Sequence, residues 1–168
     1  MAGEKFLQLS SGKATTITSV QVGGSGKENK IPSLDASGKF DITMMPTGIG
    51  ADTITAEASE ALVAGNFVNL FIDTTLKVRK ADATTTGKEA NGFVLASFDS
   101  AATATVYRQG ENNQLTGMTI GARQYLSEAT PGARTETAPS TTGNVVQFLG
   151  IATSATTMFF EERDSMIA

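Results

Sequence analysis

The sequence predicts an all-β protein in which an extended N-terminal arm precedes a pseudo-repeated β-barrel or β-sandwich domain. Threonine and valine are abundant, and they occur in short stretches where apolar and polar residues alternate. Glycine, asparagine, aspartate and proline interrupt these stretches at short intervals, as turn residues do in sandwiches and barrels. The third observation is an internal repeat in the C-terminal part of the chain.

The first part of the arm is predicted to contain two strands and a flexible loop. The strands are expected at residues 5–9 and 14–22, and Ser-Gly-Lys at 11–13 fits the turn between them. Residues 23–26 read Gly-Gly-Ser-Gly, a composition typical of a loop or hinge.

The second part of the arm is predicted to be extended and to end in a connector. Residues 30–42 contain an Asp-Ala-Ser-Gly turn. Residues 44–52 hold a proline after two methionines and then two glycines, which disfavours both a helix and a central strand. We therefore expect residues 1–50 to form a β arm with its connector, and residues 51–168 to form the β domain.

Residues 57–64 have the only helix-friendly composition in the chain, Glu-Ala-Ser-Glu-Ala-Leu-Val-Ala. An isolated helix of this length is marginal in water. The competing interpretation is a strand with Ile54, Ala56 and Ala58 on one side, and we favour the strand.

The β domain contains two similar units, at about 57–110 and 115–164. Gly65 corresponds to Gly121 at an offset of 56 (121 − 65), and Thr-Thr-Gly at 85–87 corresponds to the same tripeptide at 141–143. Later matches follow at offsets of 57 and 53 because of small insertions and deletions. Two β units that cannot each bury an apolar face alone are expected to pack together.

The composition excludes several classes of function. The 168 residues include no His and no Cys, so the usual zinc ligands, a thiolate nucleophile and a Ser-His-Asp relay are absent. We expect no cofactor, no metal site and no enzymatic activity. A net charge of −4 disfavours nucleic acid as a partner. No apolar run approaches the length of a membrane span, and no signal peptide is visible.

Three local motifs are candidates for chemistry. The segment after Gly23 lacks both anchors of a phosphate-binding loop. The carboxylates of Asp35, Asp41 and Asp52 offer the one route to catalysis, but we favour solvated turn charges as their explanation. The basic cluster of Lys77, Arg79, Lys80 and Lys88 fits a charged edge strand better than a polyanion groove, and contact with an acidic partner surface fits it too.

Several segments resemble structural proteins of tailed bacteriophages. The segment at 30–50, KIPSLDASGKFDITMMPTGIG, resembles a part of trimeric fibre and head-attached proteins. Further segments resemble the body of phage capsid decoration (cement or head-fibre) proteins, and related modules occur in phage tail fibres. They read AGNFVN at 64–69, KVRKADA at 77–83, GFVLA at 92–96, ATATVY at 102–107, YLS at 125–127, TPG at 130–132, AP at 138–139 and VVQFLGIA at 145–152.

The resemblance implies a homotrimer that binds the major capsid protein of a phage head and lies on the outer capsid surface of the virion. The arm carries apolar residues that a short extended segment cannot hide within one chain, whereas three copies can cover them. These candidate trimer or capsid contacts are Ile31, Leu34, Phe40, Ile42, Met44 and Met45. Packing within the chain is the alternative explanation for them.

Two further functions remain open from the sequence. The first is a tail-fibre or host-glycan-binding module, which requires exposed aromatic side chains near Tyr107, Tyr125, Phe159 or Phe160. The second is an enzyme that uses carboxylates.

Overall fold

The computed structural model describes residues 5–28, 30–45 and 50–168, without the side chains of Ser10 and Ile42. Across these residues the fold is all-β, and a short 3₁₀ turn at Ile42–Met44 is their only helical element. The chain forms two compact units, which we call the leading unit (Met1–Gly50) and the body (Ala51–Ala168). The predicted connector at 44–52 lies partly outside the described residues.

The described residues of the leading unit contain an antiparallel hairpin. Strand β1 (Lys5–Ser10) pairs with β2 (Lys13–Thr18) in a two-stranded sheet of its own. The turn at 11–13 places both Ser11 and Gly12 at positive φ, as a tight hairpin turn requires. Beyond the hairpin, an isolated bridge joins Val20 to Pro32.

Strands of the body fall into two halves. The first half contains β3 (Thr53–Ala58), β4 (Phe67–Asp73), β5 (Thr75–Lys80), β6 (Gly92–Phe93) and β7 (Thr103–Tyr107). The second half contains β8 (Gln109–Asn112), β9 (Arg123–Leu126), β10 (Arg134–Thr135), β11 (Val145–Ala152) and β12 (Met158–Glu161), followed by β13 (Ser165–Ile167).

The same antiparallel pairings occur in both halves. β3 pairs with β7 as β8 pairs with β12, and β4 pairs with β5 and β6 as β9 pairs with β10 and β11. Likewise, β6 pairs with β7 as β11 pairs with β12. β4 and β9 begin at Phe67 and Arg123, 56 positions apart (123 − 67). The order of strand pairs therefore follows the repeat in the sequence.

One pairing distinguishes the halves. In the first half β3 also pairs with β5 in parallel, and this closes a five-stranded barrel in the order β3-β5-β4-β6-β7. In the second half β10 and β8 are the two ends of the order β10-β9-β11-β12-β8, with β13 added to β11. The body is therefore one barrel beside one open sheet, rather than a single pseudo-symmetric barrel or sandwich.

Two hydrophobic cores hold the body together. The barrel core contains Ala56, Ala58, Leu62, Val68, Val78, Val94, Ala104 and Val106. The shared core takes residues from both halves: Phe67, Ala81, Ala83, Ala90, Phe93, Met118, Leu126, Val145, Leu149, Ala152, Met158 and Phe160. The buried amide of Gln147 adds a polar link between the halves, because it donates to the Ala90 carbonyl (2.9 Å) and accepts from the Ala90 N–H (2.7 Å).

For the segment at 57–64, the alternation of Ile54, Ala56 and Ala58 in a strand is confirmed, but residues 59–64 form neither the helix nor a continuation of the strand. β3 ends at Ala58, and Ala56 and Ala58 are buried on one face with Ile54 half-buried beside them. The segment bends after Ala58, and Leu62 forms an isolated bridge with Phe98.

The expectation of a basic edge strand is wrong, since β5 pairs on both sides. Its cations have local partners instead. The Lys77 ammonium lies 3.4 Å from both the Glu57 and Asp73 carboxylates, and hydrogen bonding to Glu57 is the main reason its pKa is raised. Arg79 lies over the Phe71 ring, 4.4 Å from the centroid.

Candidate functional site

The leading unit places most of the predicted contact residues around one backbone bridge. Val20 N–H donates to the Ile31 carbonyl (3.0 Å), and Ser33 N–H donates to the Val20 carbonyl (2.8 Å). Gly23 N–H donates to the Thr43 hydroxyl oxygen at 2.8 Å. A Cβ at Gly23 would meet the Thr43 carbonyl, so only glycine permits this close approach.

The two carboxylates of this region support turns. Asp35 Oδ1 accepts from the N–H groups of Ser37 (2.8 Å) and Lys39 (2.9 Å), and the bond from Lys39 is the main cause of its lowered pKa. Asp41 accepts from the hydroxyl and the N–H of Thr43, and the hydroxyl bond is the main cause of its lowered pKa. Both carboxylates therefore have a structural explanation in the local backbone.

The predicted contact residues are largely exposed within one chain. Phe40 is 48% exposed and Leu34 47%, while Met45 and Ile31 are 40% and 36% exposed. Met44 is half-buried. Ile42 lies in the 3₁₀ turn, and its side chain is outside the described part of the structure.

Three apolar side chains of the leading unit are exposed in addition to those predicted from the sequence. Leu7 and Leu9 are 78% and 77% exposed on one side of the hairpin, and Val22 is also exposed. The period-two spacing of Leu7 and Leu9 in a strand is the signal that could have identified them. Among the described residues of this unit, only Ser19 is buried. The unit therefore has no apolar core within its described residues.

A groove of about 460 Å³ lies in the leading unit. Apolar side chains from separate parts of the segment line it, with Lys27, Glu28 and Lys30 alongside. The apolar lining residues are Val20, Pro32, Phe40, Met44 and Met45. Exposed apolar surface framed by charge is characteristic of a protein contact site.

The open sheet of the body presents a second exposed surface, which we call the outer face. Register places Arg123, Ile151, Phe159 and Glu111 side by side across β9, β11, β12 and β8. Ile151 and Phe159 are 49% and 51% exposed.

Phe148 extends the outer face. Its ring lies 5.8 Å from the half-buried Tyr125 ring, measured between centroids. The guanidinium groups of Arg123 and Arg163 lie 5.2 and 5.6 Å from the Phe148 centroid. The outer face therefore contains an aromatic ring flanked by two cations, next to the exposed side chains of Ile151 and Phe159.

The other two aromatic residues considered for glycan binding contribute to packing. Phe160 is fully buried against Phe67 and Phe93. The half-buried Tyr107 ring stacks on Phe93 with 5.6 Å between centroids.

Charged residues near the C-terminus form local bonds. Glu162 accepts from the Asn91 amide (2.8 Å) and from Arg108 (3.4 Å), and Arg163 donates to Glu161 at 2.7 Å. Over residues 5–28, 30–45 and 50–168, no group of three or more acidic, His or Cys side chains is arranged to hold a metal ion. Within the same ranges, no helix has the length and apolar character to span a membrane.

Searches with this chain found no matching protein-family model, no matching curated protein and no matching solved structure.

Proposed function

We propose that this protein is a homotrimeric capsid decoration protein that binds the assembled head of a tailed bacteriophage and stabilises it. The observation that carries the proposal is the leading unit, which exposes seven large apolar side chains and, among its described residues, buries none. These residues are Leu7, Leu9, Val22, Ile31, Leu34, Phe40 and Met45. The sequence resemblance to phage decoration proteins supplies the biological setting.

The energetics favour self-association of the leading unit. Complete burial of one leucine-sized side chain contributes about 1.5–3 kcal/mol, so seven partly exposed side chains represent a large free energy that the isolated unit does not gain. A two-stranded hairpin such as β1–β2 is also marginally stable by itself. Contacts between three symmetry-related copies would bury these side chains and stabilise the hairpin.

A trimer also suits attachment to a capsid lattice. Three identical contacts on one rigid particle act together, so each can be weak while the whole binds firmly. No step of this function needs catalysis.

The direct test combines a mass measurement with decoration of heads assembled without the protein. We expect a trimer in solution and regular density on the head surface by electron microscopy. The variant Phe40→Asp with Met45→Asp is expected to lose both properties, because two charges would enter the buried interface. Phe159→Asp, on the outer face of the body, is the matched control and should retain both. A wild-type monomer that leaves heads bare would refute the proposal.

A truncation separates attachment from folding. Removing residues 1–45 should abolish decoration but leave a folded β domain, because both hydrophobic cores lie in the body. Normal decoration by the truncated protein would show that the leading unit is not the attachment element.

The outer face favours a second candidate, a host-glycan-binding module of the virion. Phe159 is exposed between Ile151 and Glu111 in register, with Arg123 beyond Ile151, and an exposed ring near polar groups suits a sugar face. A glycan array with the wild type and Phe159→Ala tests it. Binding that Phe159→Ala abolishes would support this function, and an empty array would remove it.

A further inference from the structure

The two halves of the body differ most where the first and third strands of each half meet, a place that we call the seam. It lies between β3 and β5 in the first half and between β8 and β10 in the second. In the first half, Glu57 and Ala58 pair in parallel with Lys77 and Val78 and close the barrel. Ser59 N–H extends the pairing by donating to the Val78 carbonyl at 2.8 Å. The first half therefore shows how this fold closes when both strands meet.

The corresponding seam of the second half is bridged by side chains instead of backbone. Arg134 lies at the position of Val78 (134 − 78 = 56), and its guanidinium donates to the Thr116 carbonyl. Glu136 Oε1 accepts from the Thr119 N–H at 2.6 Å. β10 and β8 thus remain opposite ends of the sheet, and each pairs with one neighbour only.

Polar residues occupy interior positions that are apolar in the first half. Gln124 stands where the first half has Val68 (124 − 68 = 56), and both are fully buried. The Gln124 carbonyl accepts from Arg134 at 3.1 Å, and the Arg134 guanidinium lies 3.6 Å from Glu136. In the first half the equivalent position is apolar, and backbone pairing between β3 and β5 closes the barrel instead. These polar groups therefore bridge the second half at the place where backbone pairing is missing.

A groove of about 440 Å³ lies along this open seam. Gln114, Leu115 and Thr116 line it on one side, and residues 133–136, which include β10, line it on the other. An unpaired strand edge offers main-chain donors and acceptors to another strand. The groove is therefore suited to an extended peptide segment.

We propose that the edge of β10 accepts the β1–β2 hairpin of a second copy of this chain. The hairpin is a separate two-stranded sheet, and a third strand would stabilise it. β10 lacks a neighbouring strand on one side, so β10 and the hairpin can each serve as an additional hydrogen-bonded strand for the other. The contact is heterologous, and repeating it around a threefold axis closes a ring. This inference rests on the proposed trimer and names the contact that joins its copies.

Photo-crosslinking of the full-length protein tests the contact. Because the chain has no cysteine, Thr135→Cys can be labelled at a single site with benzophenone maleimide. Arg79→Cys is the matched control, since Arg79 is the equivalent position (135 − 79 = 56) on the closed barrel. Labelled protein is mixed with ¹⁵N-enriched wild type, irradiated, digested and analysed by mass spectrometry, after circular dichroism has shown that both variants are folded.

We expect adducts between position 135 and residues 5–18 of an isotopically distinct copy, and none of this kind from position 79. Adducts confined to the same chain, adducts to other segments, or equal yields from both positions would overturn the inference. In unlabelled wild type, we expect hydrogen exchange at the backbone amides of residues 134–136 to be at least roughly tenfold slower in the oligomer than in protein diluted to monomer. Unchanged exchange would also count against the contact.

The outcome separates this inference from the proposed function. A trimer that decorates heads but gives no adduct between position 135 and the hairpin rejects only the contact at β10. A protein that is monomeric at all concentrations rejects the trimer and this contact together.

Discussion

Phe159 and Phe160 are adjacent on β12 but face opposite sides of the sheet, so they provide a matched pair of substitutions. The Phe160 ring lies 5.6 Å from Phe67 and 5.8 Å from Phe93 in the shared core. Phe160→Ala should lower the free energy of unfolding by about 3–5 kcal/mol, because it leaves a cavity. Phe159→Ala should cost less than about 1 kcal/mol. Urea denaturation followed by circular dichroism measures both, and equal losses would contradict the assignment of faces.

Glu136 gives the open seam a dependence on pH. The Thr119 N–H that donates to its carboxylate is the main cause of its lowered pKa, with support from Gln124 and Arg134 against the opposing effect of desolvation. A carboxyl whose pKa is lower in the folded state stabilises the fold fully above the ordinary glutamate pKa of about 4.3. This contribution is lost as the pH falls through the lower folded-state value.

We therefore expect the free energy of unfolding to fall more steeply with acidification in the wild type than in Glu136→Gln. Denaturant titrations between about pH 3 and 6 measure the slopes, since this range spans the ordinary glutamate pKa. Glu111→Gln removes the same charge from the exposed outer face and serves as the control. Identical slopes for the wild type and Glu136→Gln would show that this carboxylate does not stabilise the seam.

At the scale of elements, the repeat supplies a matched pair of glycines. Gly65 (φ 91°) and Gly121 (φ 80°) precede β4 and β9 at equivalent positions. Alanine at either site adopts a left-handed backbone that costs roughly 1–2 kcal/mol. A Cβ at Gly65 would also meet the Gln114 carbonyl oxygen at 2.5 Å, whereas one at Gly121 meets nothing within 4 Å.

Gly65→Ala should therefore destabilise the body by about 1–3 kcal/mol more than Gly121→Ala, the usual cost of added bulk in a packed site. Thermal and urea unfolding of the two variants give the comparison. Equal destabilisation would mean that the close approach of Gly65 to Gln114 relaxes without cost.

The sequence predicted the all-β class because alternation and turn residues are local signals. The hairpin illustrates this, since the expected strand at 5–9 is observed at Lys5–Ser10 with its turn in place. The strand at 14–22 was extended too far, because β2 ends at Thr18 and Val20 bridges to Pro32. A bridge between distant residues leaves no local trace in the sequence.

The closure of one half and not the other could not be predicted from the similarity of the two repeat sequences. It depends on which strands meet across a seam, and a few side chains such as Arg134 and Gln124 mark the difference. The exposed residues of the leading unit were partly predicted, from their apolar character in an extended segment. Leu7 and Leu9 were missed, because a strand with alternating leucines is equally compatible with a buried face.

At the scale of the whole molecule, the stability of the leading unit should depend on protein concentration. If copies cover its exposed apolar side chains, association stabilises the unit by mass action. Amides of β1 and β2 should exchange more slowly at high concentration, whereas amides of β4 and β5 in the closed barrel should not change. Hydrogen exchange read by mass spectrometry at two concentrations measures this, and concentration-independent exchange in the hairpin would argue against association.

The barrel core lies wholly between Ile54 and Val106, whereas the shared core also needs residues from the second half. During synthesis on the ribosome, the first half can close as soon as β7 has emerged. We expect the open sheet then to fold against the side chains of Phe67, Phe93 and Tyr107, which belong to the shared core or pack against it. The first half of the body is thus synthesised before the open sheet that packs against it. This order limits the time in which the apolar strands of the open sheet are exposed to aggregation.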